Sequence, residues 1–415
     1  MERLAIIADN LVGANDAGVQ FRKFGFTTQV VLNQLDLVNQ REGADVIAIS
    51  TNSRTVSTED AYKLVYQAGN RLLELGFQRF YKKIDSTLRG NIAEEIQAML
   101  DALTLSLAVI APSYPVHGRV VENGYLQLVK EWGDSSVPVP ICYIPSVVKT
   151  VPGMPVAVIG LTDVRQGEKK LVQKIAGLHA AGIRLITVDA VTDADLRIIA
   201  VAINKLTVPC LAVGSAGLAG NLPIAWKAVD QEHLGLREGS MIIAGTLNQV
   251  TSEQITEVLA YPGTELIDIA AAAVYEGRVD EEYIRVMSAI AASLASGRIP
   301  VIATDTLLKN RNTMDALSLS VQVHKHGPAV TALLGQIARE TAEKHGLRNL
   351  VIAGGGTATS ICHMLEISII DLERELLPGV PVGKAVGGSC SGLYLITKAG
   401  GFGRRDSLQK VLELL

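Results

Sequence analysis

Residues 79–91 read Arg79-Phe80-Tyr81-Lys82-Lys83-Ile84-Asp85-Ser86-Thr87-Leu88-Arg89-Gly90-Asn91. Residues 80–84 read as a short strand, because aromatic and β-branched side chains suit a pleated, half-buried surface. Asp85, Ser86 and Thr87 follow as a polar cluster, and beyond it Ile92, Ile96, Met99 and Leu103 fall at helical spacing. The order strand, polar turn, helix is one β-α unit, and it recurs in both directions. Upstream, Leu4–Ala8 is an apolar run ending at Asp9, and residues 45–50 contain another, followed by Thr51, Asn52, Ser53 and Arg54. Thr58 then stands where it can cap a helix with Ala61, Leu64, Val65, Ala68, Leu72 and Leu75 on one face and Gly76 at its end. Downstream, residues 107–110 form a further strand ending at Ala111 and Pro112. Strands alternating with helices predict parallel β-α-β units.

Residues 126–155 break the rhythm. Pro138, Pro140, Pro145, Pro152 and Pro155 cluster there, which predicts an irregular excursion. Strand-like runs return at 156–159, 183–188 and 211–213, and the second half restarts at 241–244, 300–303, 350–353 and 393–397. Between the halves, residues 214–239 mix glycine, proline and charge. The expected fold is therefore α/β with two domains, 1–225 and 240–415. Each has a mainly parallel sheet flanked by helices, with a ligand cleft between them.

Composition narrows the classes of function. A hydrophobic fraction of 48% excludes a disordered chain. A formal charge of −4 excludes a broadly basic nucleic-acid binder, though not a local basic pocket. Aromatic residues are only 4%, too few for stacking platforms, so the core falls to Ala, Val, Ile and Leu. No uncharged apolar stretch is long enough to span a membrane. Cys142, Cys210, Cys362 and Cys390 are widely spaced, so each is expected as a small buried hydrophobe rather than part of a disulfide framework or zinc knuckle. Met1 leads straight into a strand pattern rather than a signal peptide. These features predict a cytoplasmic protein without nucleic-acid or membrane partners. The sequence does not fix the oligomeric state, with a homodimer as one expectation.

In open parallel α/β sheets, ligands bind outside the carboxyl ends of the strands. There the first half gathers Asp9, Asn10, Asn15, Asp16, Ser53, Arg54, Lys82, Lys83, Asp85, Ser86, Thr87, Arg89, His117 and Arg119. Cations interleaved with carboxylates and hydroxyls suit a small polyhydroxy acid, whose carboxylate an arginine or lysine grips and whose hydroxyls Asp and Asn accept. Each residue also has a plain structural role open to it: Asp85 to Thr87 as a turn, Arg54 as a surface ion pair, Lys82 or Lys83 as a residue facing solvent or a helix. In the second half, Gly354-Gly355-Gly356-Thr357 follows a strand and opens a helix. Lys398 to Gly403 follows another strand, and Gly245-Thr246 a third. Glycine lets backbone N–H groups approach phosphate oxygens at a helix N-terminus. The P-loop pattern, the G-x-G-x-x-G fingerprint after the first strand, the G-x-S-x-G elbow and H-E-x-x-H are all absent.

Asp9 to Asp16, Ser53-Arg54, Tyr81 to Asn91, Gly214 to Ala219 and Lys398 to Gly403 together resemble the four-carbon acid sugar kinase family, in the family's order and across nearly the whole chain. The K-K-I-D-S-T-L-R-G-N run is the most specific of these. The resemblance implies an N-terminal acid-sugar-binding domain and a C-terminal nucleotide-binding domain. It further implies ATP-dependent phosphorylation of threonate, erythronate or 3-oxo-tetronate at the terminal hydroxyl, with Mg²⁺. Carried over by position, it implies that Asp9, Arg54, Lys82, Lys83, Ile84, Asp85 and Arg89 bind the acid sugar, with Asp85 or Asp9 orienting or deprotonating the attacking hydroxyl. ATP would lie against Thr246 (usually Ser in the family), Gly354, Gly355, Gly356, Thr357, Gly400, Gly401 and Gly403. Asn10 and Val12 replace an acid and a hydroxyl of the usual D-D-L-T-G opening, and Gly356 replaces the acid of G-G-D-T. Those departures motivate the alternative, a non-catalytic metabolite- or nucleotide-binding homologue. Catalysis across two domains further predicts closure about 214–239.

Overall fold

The computed structural model describes residues 3–32, 43–132, 135–149, 154–223, 239–308 and 316–415. The chain forms two compact units, Met1–Asp230 and Gln231–Leu415. The expected boundary and hinge fall mostly on 224–238, outside the described residues.

In the N-terminal unit, the strands β1 (Leu4–Ala8), β2 (Thr28–Val31), β3 (Val46–Ser50), β4 (Arg79–Lys83), β5 (Ala108–Ala111), β9 (Val156–Ile159), β10 (Leu185–Val188) and β11 (Leu211–Gly214) lie in the order β2-β3-β1-β4-β11-β5-β10-β9. Every pairing among them is parallel. Helices cover the faces, so the central strands are buried throughout and read as unbroken apolar runs. The helix Thr58–Glu74 buries Ala61, Val65, Ala68 and Leu72, as its spacing predicts. Its cap is Ser57 rather than Thr58, since the Ser57 side chain accepts from the Asp60 N–H.

The described residues of the proline-rich excursion take a regular path rather than the irregular one expected. β6 (Arg119–Glu122), β7 (Tyr125–Trp132) and β8 (Ser135–Tyr143) form an antiparallel three-stranded sheet. Pro138 and Pro140 lie on β8, an edge strand with one outer side where no N–H is needed. Turn composition alone concealed this sheet.

In the C-terminal unit, β12 (Ser240–Ala244), β13 (Thr264–Ile269), β14 (Ile299–Thr304), β15 (Asn349–Ala353), β16 (Ile369–Leu377), β17 (Val380–Val386) and β18 (Tyr394–Lys398) run β13-β14-β12-β15-β18-β17-β16. The first five are parallel and the last two antiparallel. β2, β13, β16 and β17 were not anticipated. β13 and β16 carry charged, partly exposed residues and so lack the apolar run that marks a buried strand. No described helix is long and apolar enough to cross a membrane. All four cysteines are free; Cys362 and Cys390 are buried, while Cys142 and Cys210 are only partly so.

Candidate active site

Parallel register sets the first cluster. Ala8 pairs with Ser50 on one side and Lys83 on the other, so the residues leaving β1, β3 and β4 emerge together. Arg54 donates from Nε to Asp9 Oδ2 at 2.6 Å and from Nη2 to Asp9 Oδ1 at 3.1 Å. The same Nη2 lies 3.2 Å from Asp85 Oδ1. Arg89 completes the row with two hydrogen bonds of 2.8 Å to the Asp85 carboxylate. Asp9, Arg54, Asp85 and Arg89 thus alternate in sign. Asp9 at one end is 1% exposed, while the Arg89 side chain at the other is 66% exposed.

Burial and pairing act in opposite directions on these groups. For Asp85, burial alone would raise the pKa. The Arg89 hydrogen bonds and the charges of Arg54 and Arg89, with help from Thr87, overcome it and hold the carboxyl well below the usual range. Burial disfavours the Arg54 cation, but Asp9 and then Asp85 outweigh it and raise its pKa. Lys83 is lowered by burial, partly offset by Asp16, Asp9 and Asp85, and its Nζ donates to the Ile84 carbonyl at 3.0 Å. Arg119 is likewise lowered by burial and donates to the His117 carbonyl. Asp85 also accepts from the Thr87 N–H and hydroxyl, so the turn and the ion-pair readings hold at once.

Lys82 stands behind this row rather than in it. Its ammonium pairs with Glu95 Oε2 at 2.7 Å, both side chains fully buried, and donates to the carbonyls of Ile7 and Lys83. Ile84 is packed into the core cluster with Ile7, Ile49 and Ile96. Glu95 in turn accepts from Ser53 Oγ at 2.7 Å, and Ser53 contacts Thr51, which donates to the Ala8 carbonyl. This buried network anchors the segment that presents Arg54. Sequence reasoning missed Glu95, although a signal exists: it is a lone carboxylate on the apolar stripe of Ile92, Ile96 and Met99. Asn10 caps the helix Leu11–Arg22 by accepting from the Gly13 N–H at 2.8 Å. Asn15 and Asp16 are buried within that helix.

The second cluster forms in the same way. Ala244 pairs with Ala353, and Ala353 with Lys398, so three loops leave the sheet side by side. The Gly354 N–H donates to the Lys398 carbonyl at 2.9 Å. Gly354 has φ of +119°, a conformation that side chains rarely adopt. A Cβ on Gly400 would lie 2.6 Å from Thr246 Oγ1, so the Thr246 and Gly400 loops touch backbone to side chain. The helix Gly355–Met364 starts here with Gly355, Gly356 and Thr357 in its first turn. Gly356 is exposed, and a Cβ there would meet nothing within 4 Å. Thr246, Gly354 to Thr357 and the loop Lys398 to Gly403 therefore come together as expected. Among the described residues, no group of three or more His, Cys, Asp or Glu is arranged to hold a metal ion.

Comparison with known proteins matches both units. Residues 4–222 fit a sugar-binding N-terminal domain and residues 241–408 a nucleotide-binding C-terminal domain. Curated relatives include the D-threonate kinase of Salmonella typhimurium, 32% identical over 98% of this chain and 96% of that protein. The D-erythronate kinase of Heliobacterium modesticaldum is 29% identical over 100% and 97%. The 3-oxo-tetronate kinase of Actinobacillus succinogenes is 28% identical over 97% of each. A solved Salmonella typhimurium structure, whose description proposes a tRNA synthase, superposes with a TM-score of 0.80 at 25% identity over 99% of both chains. A Haemophilus influenzae structure shares the fold, with a TM-score of 0.69 at 24% identity over 99% of both chains. With both domain models matched and relatives aligned from end to end, the chain belongs to the four-carbon acid sugar kinase family, phosphotransferases with an alcohol group as acceptor.

Proposed function

We propose that this chain transfers the γ-phosphoryl group of MgATP to the terminal hydroxyl of a four-carbon acid sugar of the threonate, erythronate or 3-oxo-tetronate type. The observation that carries this reading is the alternating row from buried Asp9 to exposed Arg89. A four-carbon acid has the matching polarity, a hydroxyl at one end and a carboxylate at the other. The carboxylate goes to Arg89 at the exposed end and the hydroxyl to Asp9 at the buried end, where Lys83 also lies. Asp85 is a poor base because its proton affinity is so low, so its work is to fix Arg54 and Arg89. Lys82 supports the site through Glu95.

ATP takes the second cluster, where N–H groups of Gly355, Gly356, Thr357, Gly400, Gly401 and Gly403 and the Thr246 hydroxyl surround the phosphates, and Gly354, its own N–H held by the Lys398 carbonyl, lets the backbone turn close beside them. Mg²⁺ enters with the nucleotide as part of the substrate, and it supplies charge neutralisation on the phosphate oxygens. The hydroxyl oxygen bonds to the γ-phosphorus as the bond to the ADP oxygen breaks, and Asp9 holds or takes the hydroxyl proton. Asn10 has a capping role that leaves this scheme intact. An ADP-release assay across D-threonate, D-erythronate and 3-oxo-tetronate tests the proposal. Turnover of one of them supports it. ATP binding without turnover of any overturns it in favour of a non-catalytic binder.

A further inference from the structure

Lys398 ends β18 and is wholly buried. Its ammonium donates to the carbonyls of Ala399 at 2.8 Å and Phe402 at 3.0 Å. Resting on the nucleotide reading above, we propose that Lys398 is the positioning residue of the nucleotide site: by tying these two carbonyls inward, it turns the glycine loop's N–H groups outward to meet phosphate.

The argument follows from peptide geometry. In a trans peptide, the C=O of one residue and the N–H of the next point in opposite directions. The Ala399 carbonyl held by Lys398 therefore turns the Gly400 N–H away from the ammonium. The Phe402 carbonyl, held by both Lys398 and Gln254 Nε2 at 2.9 Å, does the same for Gly403. The Gly400 carbonyl accepts from Thr251 Oγ1 at 2.8 Å, which turns Gly401 likewise. Gly400 and Gly403, which Lys398 so presents, are among the glycines expected to bind ATP. Side chains buried behind the loop thus determine what the loop shows on its outer side.

The charge balance points the same way. Among the described residues no carboxylate pairs with Lys398, and Thr251 and Gln254, which reach the loop from the helix Gln249–Val258, are neutral. Burial without a counter-charge lowers the lysine pKa to about 7. A phosphate on the outer side of the loop supplies the missing negative charge, so binding favours the protonated form. Nucleotide affinity accordingly falls as pH rises above about 7.

Calorimetric titration of the full-length protein with ADP tests this. Lys398→Met should weaken ADP binding by roughly 10- to 100-fold, the loss expected for charge-assisted hydrogen bonds, with acid-sugar binding unchanged. Wild-type affinity should fall about tenfold more than that of Lys398→Met between about pH 6.5 and about pH 8.5, the variant serving as the measure of ADP's own titration. ADP binding by Lys398→Met within about twofold of wild type overturns the proposal, as do parallel pH profiles, which would leave Lys398 merely structural. Should Lys398→Met not fold, Gln254→Leu decides, since it releases the Phe402 and Arg404 carbonyls alone. Several-fold weaker ADP binding with the pH dependence kept supports the proposal, and unchanged binding overturns it. Absence of ADP binding by the wild type removes the nucleotide reading itself, whereas the other adverse outcomes remove only the role of Lys398.

Discussion

At the strand ends of the N-terminal unit, Asp9, Arg54, Asp85 and Arg89 neutralise one another along a row of side chains. At the strand ends of the C-terminal unit, the groups brought together are mainly glycine backbone, and the buried cation Lys398 has no carboxylate partner among the described residues. The contrast fits two kinds of ligand. A small acid with several hydroxyls must be told from its stereoisomers, which takes directional side chains held in place before it arrives. A triphosphate is recognised by charge and by closely packed N–H donors, which takes close backbone approach and a net positive field. In the first region substitution of one side chain should therefore change chemistry or stability, and in the second it should change nucleotide affinity.

The largest break in the comparison is expected from Asp9→Asn, which keeps the shape of the row and removes its buried negative end. We expect kcat with the best acid-sugar substrate to fall by about 10²- to 10⁴-fold, the usual contribution of a positioned acid–base group, while ADP binding holds. A loss confined to KM would assign Asp9 to binding alone. Next in size is the pair beneath the row. Lys82→Met leaves the Glu95 carboxylate buried without its cation, at a cost of about 3–5 kcal/mol. Adding Glu95→Leu removes that charge too, so denaturant melts of the double variant should recover most of the stability. If the double variant is no more stable than Lys82→Met, the ion pair is not what anchors Ser53 and Arg54.

In the C-terminal unit the matching test is Gly400→Ala. The new Cβ would sit 2.6 Å from Thr246 Oγ1, and Thr246 Cβ is close behind at 3.2 Å. The loop must shift, at a cost of about 1–3 kcal/mol. Steady-state kinetics should show a raised KM for ATP and an unchanged KM for the acid sugar. A change in both would mean that the two clusters are less separable than their chemistry suggests.

The same contrast governs how much could be read from sequence. Asp9, Arg54, Asp85 and Arg89 were legible because each follows an apolar run, and parallel register brings such positions together. Their order in the row was not, since it depends on which carboxylate each guanidinium reaches. Glu95 sits inside a helix rather than at a strand end, so a search of strand ends passed over it. The parallel strands were legible from buried runs such as Leu4–Ala8. β16 and β17 were not, because charged residues interrupt β16 while Pro381, Gly383 and Lys384 break up the apolar run of β17. Lys398 was visible only as the first residue of a glycine loop. That its ammonium points back beneath the loop follows from folding of the loop itself.

The smallest expected effect concerns acid stability and separates the two units by pH. Asp85 is held below the ordinary carboxylate range, mainly by Arg89 and then Arg54, against the opposing effect of burial. A depressed carboxyl stabilises the folded state above the unfolded pKa, about 3.9, and that contribution is lost as pH falls below it. Because the Arg89 side chain is 66% exposed, solvent screens its share, and roughly 1–2 kcal/mol is expected rather than the full shift. Lys398 acts in the opposite sense. Its lowered pKa makes the folded state bind fewer protons than the unfolded chain between about 7 and the ordinary lysine value, so its contribution to stability rises with pH across that range. Acid unfolding followed by circular dichroism should therefore show a shallower acid limb for Asp85→Asn than for wild type. Lys398→Met should leave the acid limb alone and flatten the rise above pH 7. An identical acid limb in Asp85→Asn would mean that the row from Asp9 to Arg89 is held by geometry and not by charge.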